Sequence, residues 1–383
     1  MTDLSFEQGP IRPPSEAMSL LLRVSRNCSW NQCIFCSTYT GDKFGRRSVN
    51  EVKADIDTIV EIIDQAKVLS WKTGASGQIT AQVAQSFFDQ GRDQSFLNVV
   101  AWLYHNTRAV FLQDANNLIL KADDLVEMLN YLNRCIPGIS RITTYSRSQT
   151  VARKDLDDLK RVREAGLDRV HVGLESGNDA VLKMMKKGVT GKGHIEGGRK
   201  IIDAGMELSE YYMPGLGGKA LWREHSIDTA KVLNEINANF VRLRTLHVSQ
   251  QLPLARKVES GEFQLQSDDE VIEEIRLFIE TLDGITTYVA SDHIGNLIQD
   301  VEGQLPQDKQ KLLDALDRYL DLDREHRLHY RIGRMMGLYA GVNDMERPDL
   351  FQRVQSTVDS LTQKYPGELE DVLVDVRTQL TRL

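Results

Sequence analysis

Three of the four cysteines in this 383-residue chain stand within nine positions, in the segment RNCSWNQCIFCSTY at residues 26–39. Cys28, Cys33 and Cys36 have the spacing C-x4-C-x2-C. Three thiolates this close together can hold a soft metal site, and the two chemistries that suit them are iron–sulfur and zinc. A structural zinc ion needs a fourth protein ligand, yet residues 1–104 contain no histidine and no further cysteine. A [4Fe–4S] cluster held by three cysteines leaves one iron open to a small-molecule ligand, which gives the odd number of cysteines a use.

The composition predicts a folded protein of a reducing compartment. With 41% hydrophobic and 27% charged residues, the chain has enough apolar residues for a core without disulfides. No run approaches the ~18 apolar residues that a membrane-spanning helix requires, and the N-terminus lacks the pattern of a secretory signal. Scarce cysteine and no signal predict a cytoplasmic protein without a membrane partner. The net charge of −8 argues against broad contact with nucleic acid, which normally needs a basic surface.

Short apolar runs alternate with amphipathic stretches between residues 18 and 252, which is typical of βα units around a parallel sheet. The predicted strands cover residues 19–25, 109–113, 140–145, 168–174, 207–213 and 240–248. Six strands that alternate with helices predict an α/β fold with a partial or complete βα barrel. Reactive residues of such barrels lie at the C-terminal ends of the strands. The three-cysteine loop follows the first strand and therefore has this position.

Three other segments complete the predicted organisation. Residues 1–17 form an N-terminal segment before the barrel, which covers residues 18–252. Helical patterns at about residues 71–107 are an insertion between the first two strands, where they could cover the barrel mouth. After residue 252 the strand signals stop, and amphipathic patterns predict a helical C-terminal region at residues 253–383.

The segment RVSRNCSWNQCIFC, with an aromatic residue directly before its last cysteine, resembles the radical S-adenosylmethionine (radical SAM) superfamily over roughly residues 18–250. The commonest spacing in that family has three residues between the first two cysteines, whereas four stand here, so the loop resembles a less characterised subgroup. The resemblance implies a partial (βα)6 TIM-like radical SAM barrel. It also implies one [4Fe–4S] cluster held by Cys28, Cys33 and Cys36, whose open iron is chelated by the amino and carboxylate groups of SAM.

The resemblance further implies an activity. An electron from the reduced cluster cleaves the sulfonium of SAM and gives methionine and a 5′-deoxyadenosyl radical, which abstracts a hydrogen atom from a substrate. A low-potential donor such as flavodoxin or ferredoxin would supply the electron, while the protein orients the cofactors. We expect a small-molecule substrate, because no nucleic-acid-binding or peptide-binding appendage is recognisable. No separate cobalamin-binding domain is recognisable either.

Candidates for SAM contacts follow the first three strands. Phe35 stands where the family usually has an aromatic residue whose backbone lies near the adenine, and it could equally just pack the loop. Gln113 and Asp114, in LQDANN, stand where the family often has two glycines and a glutamate. Asp114 is the candidate acceptor for the cationic amino group, or else a turn or helix cap. Arg147 is a candidate for the SAM carboxylate or a surface charge.

The later strands supply the remaining candidates. Glu175 and Ser176, in GLESG, are expected to contact the ribose or methionyl part of SAM, although a plain strand end and turn remains an alternative. Lys187 is a second candidate for the SAM carboxylate, or a surface charge. The glycine-rich MPGLGGK segment and the end of the sixth strand are expected near the adenine, because glycine lets backbone approach a flat ring. Their candidate residues are Pro214, Gly215, Gly217 and Val248.

Two residues outside these segments have less specific interpretations. Cys135 continues an apolar helical pattern and is expected to be a small buried residue, so a second cluster is not expected. His293 could contact substrate, but a structural histidine is favoured. Two other classes of function stay open: a non-catalytic iron–sulfur or zinc-binding protein, and a radical SAM enzyme that modifies RNA or peptide.

Overall fold

The computed structural model describes residues 4–39, 41–367 and 369. Within these residues the strands are β1 Leu20–Arg23, β2 Ser25–Arg26, β3 Gly45–Arg46, β4 Ala109–Gln113, β5 Arg141–Ser146, β6 Arg169–Glu175, β7 Glu207–Tyr212, β8 Phe240–Leu243, β9 Tyr288–Ala290 and β10 Gly303–Gln304. The α-helices are α1 Val49–Lys72, α2 Ala81–Asp89, α3 Gln94–His105, α4 Ala122–Cys135, α5 Ser148–Ala152, α6 Leu156–Glu164, α7 Asp179–Met184, α8 Gly191–Asp203, α9 Gly218–Ile236, α10 Pro253–Glu259, α11 Asp268–Thr281, α12 Lys309–Leu320, α13 Arg324–Met335 and α14 Pro348–Lys364.

The chain divides into two compact units. The first comprises Met1–Asn31, Thr38–Val172 and Glu196–Leu208. The second comprises Gln32–Ser37, Gly173–Ile195 and Ser209–Leu383. The division therefore falls within the cysteine segment and within β6.

The first unit is built on parallel strands in the spatial order β1, β4, β5, β6. All five residues of β4 are buried, as expected for a parallel strand that is covered on both faces. The long helix α1 starts at a capping box, in which Ser48 and Glu51 satisfy each other's backbone N–H groups. Its buried face carries the apolar residues Val52, Ile56, Ile59, Ile62 and Ile63.

The second unit has β7, β8 and β9 parallel to one another, and β10 pairs with β9 in the antiparallel sense. Helix α11 also starts at a capping box, formed by Ser267 and Glu270. It packs on α9 and α12, and the ring of Phe278 stacks on Tyr212 of β7 with 4.2 Å between centroids. The residues that follow β8 are therefore part of the packing of this unit.

The predicted α/β class is confirmed, and its alternation of parallel strands with helices is consistent with a partial TIM-like barrel. The last of the six predicted strands, residues 240–248, was too long, because β8 ends at Leu243. The expectation that no strand follows residue 252 was wrong, since β9 and β10 do. The predicted helix at residues 367–383 lies outside the described residues except for residues 367 and 369. No helix among the described residues is long and apolar enough to cross a membrane.

Candidate functional site

A short ribbon closes the cysteine segment into a loop. Strands β2 and β3 pair in the antiparallel sense, with Ser25 opposite Arg46 and Arg26 opposite Gly45. We call the residues between these strands, 27–44, the cysteine loop. Two-residue strands leave almost no periodic signal, and the sequence therefore did not reveal this stem.

Two asparagine side chains tie the ends of the cysteine loop together. Asn27 Nδ2 donates to the Lys43 carbonyl at 2.8 Å, and Asn31 Nδ2 donates to the Asp42 carbonyl at 2.9 Å. Both asparagines have positive φ, 63° and 45°, a conformation that asparagine adopts more readily than most residues. The loop therefore has a defined start and end in the first unit.

Cys28, Cys33 and Cys36 form no disulfide bond among the described residues, and each is neither fully buried nor fully exposed. Cys28 belongs to the first unit, whereas Cys33 and Cys36 belong to the second. Three cysteine thiolates are the donors that iron–sulfur clusters use, so the chemistry of the donor set fits such a group. Among the described residues, no three His, Cys, Asp or Glu side chains form a group that could hold a metal ion. The ligand set therefore stays a prediction from the sequence.

Asp114, at the end of β4, holds the cysteine loop on both sides. Its Oδ2 accepts hydrogen bonds from Arg23 Nε at 2.9 Å, Arg23 Nη2 at 2.6 Å and the Asn27 N–H at 3.2 Å. Its Oδ1 accepts the hydroxyl hydrogen of Tyr39. Asn27 directly precedes Cys28 and Tyr39 follows the last cysteine of the loop, so one buried carboxylate connects the two ends.

The two asparagines of the DANN sequence extend this anchorage. Asn116 Nδ2 donates to the Ser29 hydroxyl at 2.7 Å. Asn117 Oδ1 accepts the Ser25 hydroxyl at 2.5 Å, and all four residues are at least partly buried. Both asparagines were missed in the sequence, although a run of Asp and Asn after a buried strand is the available signal.

The other two candidates of the first unit also have defined contacts. Gln113 Nε2 donates to the carbonyls of Gly9 at 2.8 Å and Ile11 at 3.0 Å, and its Oε1 accepts the Gly9 N–H at 2.9 Å. The Arg147 guanidinium lies over the ring of Trp30 in the cysteine loop, 4.8 Å from the centroid. Gln113 therefore binds the N-terminal segment, and Arg147 contacts the loop itself.

In the second unit, the part of the cysteine loop at residues 32–37 packs into an apolar cluster. The Ile34 N–H donates to the Met185 carbonyl at 3.2 Å, and the Leu254 N–H donates to the Ile34 carbonyl at 3.1 Å. Phe35 and Val248, two predicted adenine neighbours, pack against the same cluster. Its buried members are Ile34, Val181, Met185, Met213, Leu216, Leu254 and Phe263.

Glu175 and Lys187 form an ion pair at the end of β6. Lys187 Nζ lies 3.1 Å from Glu175 Oε1, and each side chain is only 12% exposed. Lys187 Nζ also lies 5.7 Å from the ring centroid of Phe35. Glu175 has a φ of 66°, and its Oε2 is a buried oxygen with no hydrogen-bond partner among the described residues. That oxygen can accept a hydrogen bond from a ligand.

Ser176 lies in a fully buried polar network. Its Oγ is 2.8 Å from His225 Nδ1 and accepts the Asn178 N–H at 3.0 Å. His225 Nε2 lies 3.1 Å from the Met213 carbonyl, which can only accept. The hydrogen is therefore on Nε2, and Nδ1 accepts from the Ser176 hydroxyl. Both hydrogen-bonding functions of Ser176 are used within the protein.

Glu274 of α11 joins this network to the glycine-rich segment. Its Oε1 accepts the Tyr212 hydroxyl at 2.6 Å and the Gly215 N–H at 3.1 Å, and it lies 3.4 Å from His225 Nε2. All four side chains or backbone groups are buried. Burial raises the pKa of Glu274 to about 7, against hydrogen bonds from Tyr212 and Gly215 that lower it. Burial also lowers the pKa of His225 to about 4.

Close packing fixes the glycine-rich segment itself. The Leu246 N–H donates to the Pro214 carbonyl at 2.9 Å, which connects this segment to the one that carries Val248. A Cβ on Gly217 would lie 2.9 Å from His225 Cβ and 2.9 Å from the Leu221 carbonyl oxygen. Only glycine fits at that position without a shift of α9.

His293 and Cys135 have structural surroundings. His293 Nδ1 accepts the Gly295 N–H at 3.1 Å, and burial together with the Arg244 charge lowers the pKa of His293 to about 4. Cys135 ends α4 and is half-buried, so it is less enclosed than its helical pattern predicted.

The predicted SAM contacts thus fall into two sets. Gln113, Asp114 and Arg147 lie in the first unit with Cys28. The second unit brings the others together around the apolar cluster and the buried network: Phe35, Glu175, Ser176, Lys187, Pro214, Gly215, Gly217 and Val248. Sequence reasoning missed His225 and Glu274, because one stands alone and the other looks like any charged residue of an amphipathic helix.

The fold and these sites define an α/β protein with polar groups at the ends of parallel strands. Residues 90–230 match the family model of the radical SAM superfamily. The predicted resemblance is confirmed over this segment, which matches the radical SAM domain. The matched segment begins after the cysteine loop, so it does not itself test the cluster ligands. A search of curated proteins gave no match.

The solved structures that are similar to this chain share little sequence identity with it. Coproporphyrinogen III oxidase HemN from Escherichia coli is 14% identical, with a TM-score of 0.45 and coverage of 69% of this chain and 52% of that one. Methylornithine synthase PylB is 14% identical, with a TM-score of 0.42 and coverage of 73% and 66%. The cobalamin-dependent enzyme OxsB is 12% identical, with a TM-score of 0.45 and coverage of 94% and 57%. The chain spans about half to two thirds of the length of these structures.

Proposed function

We propose that this protein uses a [4Fe–4S] cluster, held by Cys28, Cys33 and Cys36, to cleave SAM reductively and to abstract hydrogen from a small molecule with the resulting 5′-deoxyadenosyl radical. The observation that carries the proposal is the cysteine loop. It holds three cysteines between fixed ends in a chain whose residues 90–230 match the radical SAM superfamily. When bound, the cluster would supply the electron at low potential.

The residues of the second unit would bind and orient SAM. Glu175 Oε2, buried and without a partner among the described residues, suits a ribose hydroxyl. Phe35 and Val248 offer apolar contacts to the adenine beside the segment that includes Pro214, Gly215 and Gly217. Lys187 and Arg147 are proposed for the SAM carboxylate, although each already contacts an aromatic ring. Ser176 would act through the orientation of its loop, because its hydroxyl is engaged by His225.

We further propose a cytoplasmic setting with flavodoxin or ferredoxin as electron donor. Cobalamin as an additional cofactor is a separate question, because it is bound in two of the similar solved structures, those of OxsB and the methyltransferase TsrM. Spectra of the purified protein recorded with and without added cobalamin would answer this question.

The proposal is tested by anaerobic reconstitution with iron and sulfide, followed by dithionite and SAM. We expect 5′-deoxyadenosine from the wild type and from Cys135→Ser, whose substitution leaves the cysteine loop intact. We expect none from Cys33→Ser, which removes one of the three proposed ligands. A wild type that carries a SAM-ligated cluster and yet forms no 5′-deoxyadenosine would overturn the proposal.

Two alternatives have distinct outcomes. Stoichiometric zinc without iron or sulfide in anaerobically purified protein would identify a zinc-binding protein. An iron–sulfur protein that does not bind SAM would be non-catalytic. Modification of RNA or peptide would appear as transfer of a hydrogen atom from those substrates to 5′-deoxyadenosine in the same assay.

A further inference from the structure

The DANN sequence after β4 contacts the cysteine loop at several points. Asp114 binds Arg23, Asn27 and Tyr39, and the two asparagines bind Ser29 and Ser25. By the sequence resemblance, this segment was expected to meet the amino group of SAM. Its side chains instead meet Asn27, Ser29 and Tyr39 of the cysteine loop. They also meet Ser25 of the stem and Arg23 of β1.

The hydrogen-bonding capacity of Asp114 is used by the protein. Oδ2 receives three hydrogen bonds and Oδ1 receives the Tyr39 hydroxyl. The carboxylate is wholly buried, and Arg23, 12% exposed at its side chain, balances its charge. Both oxygens of this buried carboxylate already accept hydrogen bonds, so replacing those bonds with contacts to a ligand would bring little gain in free energy.

We propose that Asp114 is a positioning residue that presents the cysteine loop for cluster binding, together with Tyr39 and Asn116. The inference rests on the proposed function. A loop that must order three thiolates on binding loses conformational entropy at that moment, whereas a loop already held at both ends does not. Partners that orient metal ligands typically change metal affinity by ~10–100-fold when they are removed.

A matched control separates positioning from general stability. Glu16 is also a wholly buried carboxylate in the first unit, where it pairs with Arg141 at 3.1 Å and accepts the Ser19 hydroxyl at 2.5 Å. Glu16→Gln therefore removes a buried charge of the same kind without touching the cysteine loop. Tyr39→Phe removes a single donor to Asp114 and keeps the Arg23 pair, so it tests the same role with little risk to folding.

The first measurement needs no metal. Hydrogen exchange of the full-length, metal-free chain is followed by mass spectrometry for Asp114→Asn, Tyr39→Phe and Glu16→Gln. We expect faster exchange across residues 27–44 in the first two variants and unchanged exchange there in Glu16→Gln. Equal exchange of this loop in all variants and the wild type would overturn the positioning role.

The second measurement uses the protein reconstituted with iron and sulfide. We expect Asp114→Asn and Tyr39→Phe to lose iron to a ferrous chelator roughly tenfold faster or more, and Glu16→Gln to match the wild type. Equal loss from Asp114→Asn and Glu16→Gln at an equal decrease in Tm would contradict the proposal. A wild type that shows the exchange pattern but binds zinc or no iron would instead contradict the proposed function and leave the loop anchorage standing.

Discussion

At the scale of single residues, Glu274 and His225 are two wholly buried titratable groups with opposite responses to pH. The pKa of Glu274 is raised from 4.5 to about 7, so its contribution to stability is complete below pH 4.5 and is lost as pH rises through 7. The pKa of His225 is lowered from 6.5 to about 4, so its contribution is complete above pH 6.5 and is lost as pH falls through 4. Between pH 4.5 and pH 6.5, a rise in pH reduces the contribution of Glu274 to stability and increases that of His225, so the two changes offset each other.

In Glu274→Gln, the pH dependence of stability that His225 causes should no longer be offset. The amide oxygen can still accept from Tyr212 and Gly215, but it does not titrate. We expect the variant to lose more stability than the wild type when pH is lowered from about 6.5 to 4.5, with a difference of up to about 3 kcal/mol. Urea unfolding at several pH values measures it. Parallel pH profiles for the two proteins would contradict the assignment.

At the scale of secondary-structure elements, the turn after β6 packs directly against α9. The Gly177 N–H donates to Thr229 Oγ1 at 2.8 Å. A Cβ on Gly177 would lie 2.5 Å from the Asp228 carbonyl oxygen and 2.7 Å from Thr229 Cα. These contacts are with backbone atoms, so a side chain at Gly177 must move the helix or the turn.

Gly177→Ala is therefore expected to destabilise the protein by about 1–3 kcal/mol and to weaken SAM binding, because Ser176 precedes this turn. Gly45→Ala in β3 is the matched control, since its Cβ would lie 3.6 Å from the nearest atom, Arg26 Cβ. Urea unfolding and equilibrium binding of SAM measure both effects. If the two variants were equally stable, close packing of the turn on α9 would not explain why position 177 is glycine.

The elements differ in how well the sequence predicted them. Strand β4 matches the strand predicted at residues 109–113, because a parallel strand that is covered on both faces is a nearly continuous apolar run, here AVFL. The β2–β3 stem gave no pattern, since two residues cannot show alternation. The sequence predicts Asp114 at the end of a strand, where functional residues are expected. A carboxylate that anchors a loop, however, has the same sequence pattern as one that binds a ligand. Its hydrogen bonds join residues up to 91 positions apart, which no local pattern contains.

At the scale of the whole molecule, the residues after 252 complete the second unit. Strand β9 pairs with β8, with Val289 opposite Val241. Asn296 Oδ1 accepts the Thr245 N–H at 3.0 Å, and its Nδ2 donates to the Leu243 carbonyl at 2.9 Å. These bonds satisfy backbone groups at and just beyond the end of β8.

A chain that ends at residue 252, the predicted end of the barrel, should therefore fail to fold cooperatively. It lacks Glu274, the acceptor of the buried Tyr212 hydroxyl, and Phe278, which stacks on the same ring. Leaving a buried hydroxyl unpaired costs about 1–3 kcal/mol, and loss of a packed aromatic ring costs about 3–5 kcal/mol, which together approach the stability of an ordinary domain. Thermal unfolding followed by circular dichroism, compared with the full-length chain, measures the loss of cooperativity. A soluble fragment with a sharp transition would show instead that residues 253–383 are a separate region, as the sequence predicted.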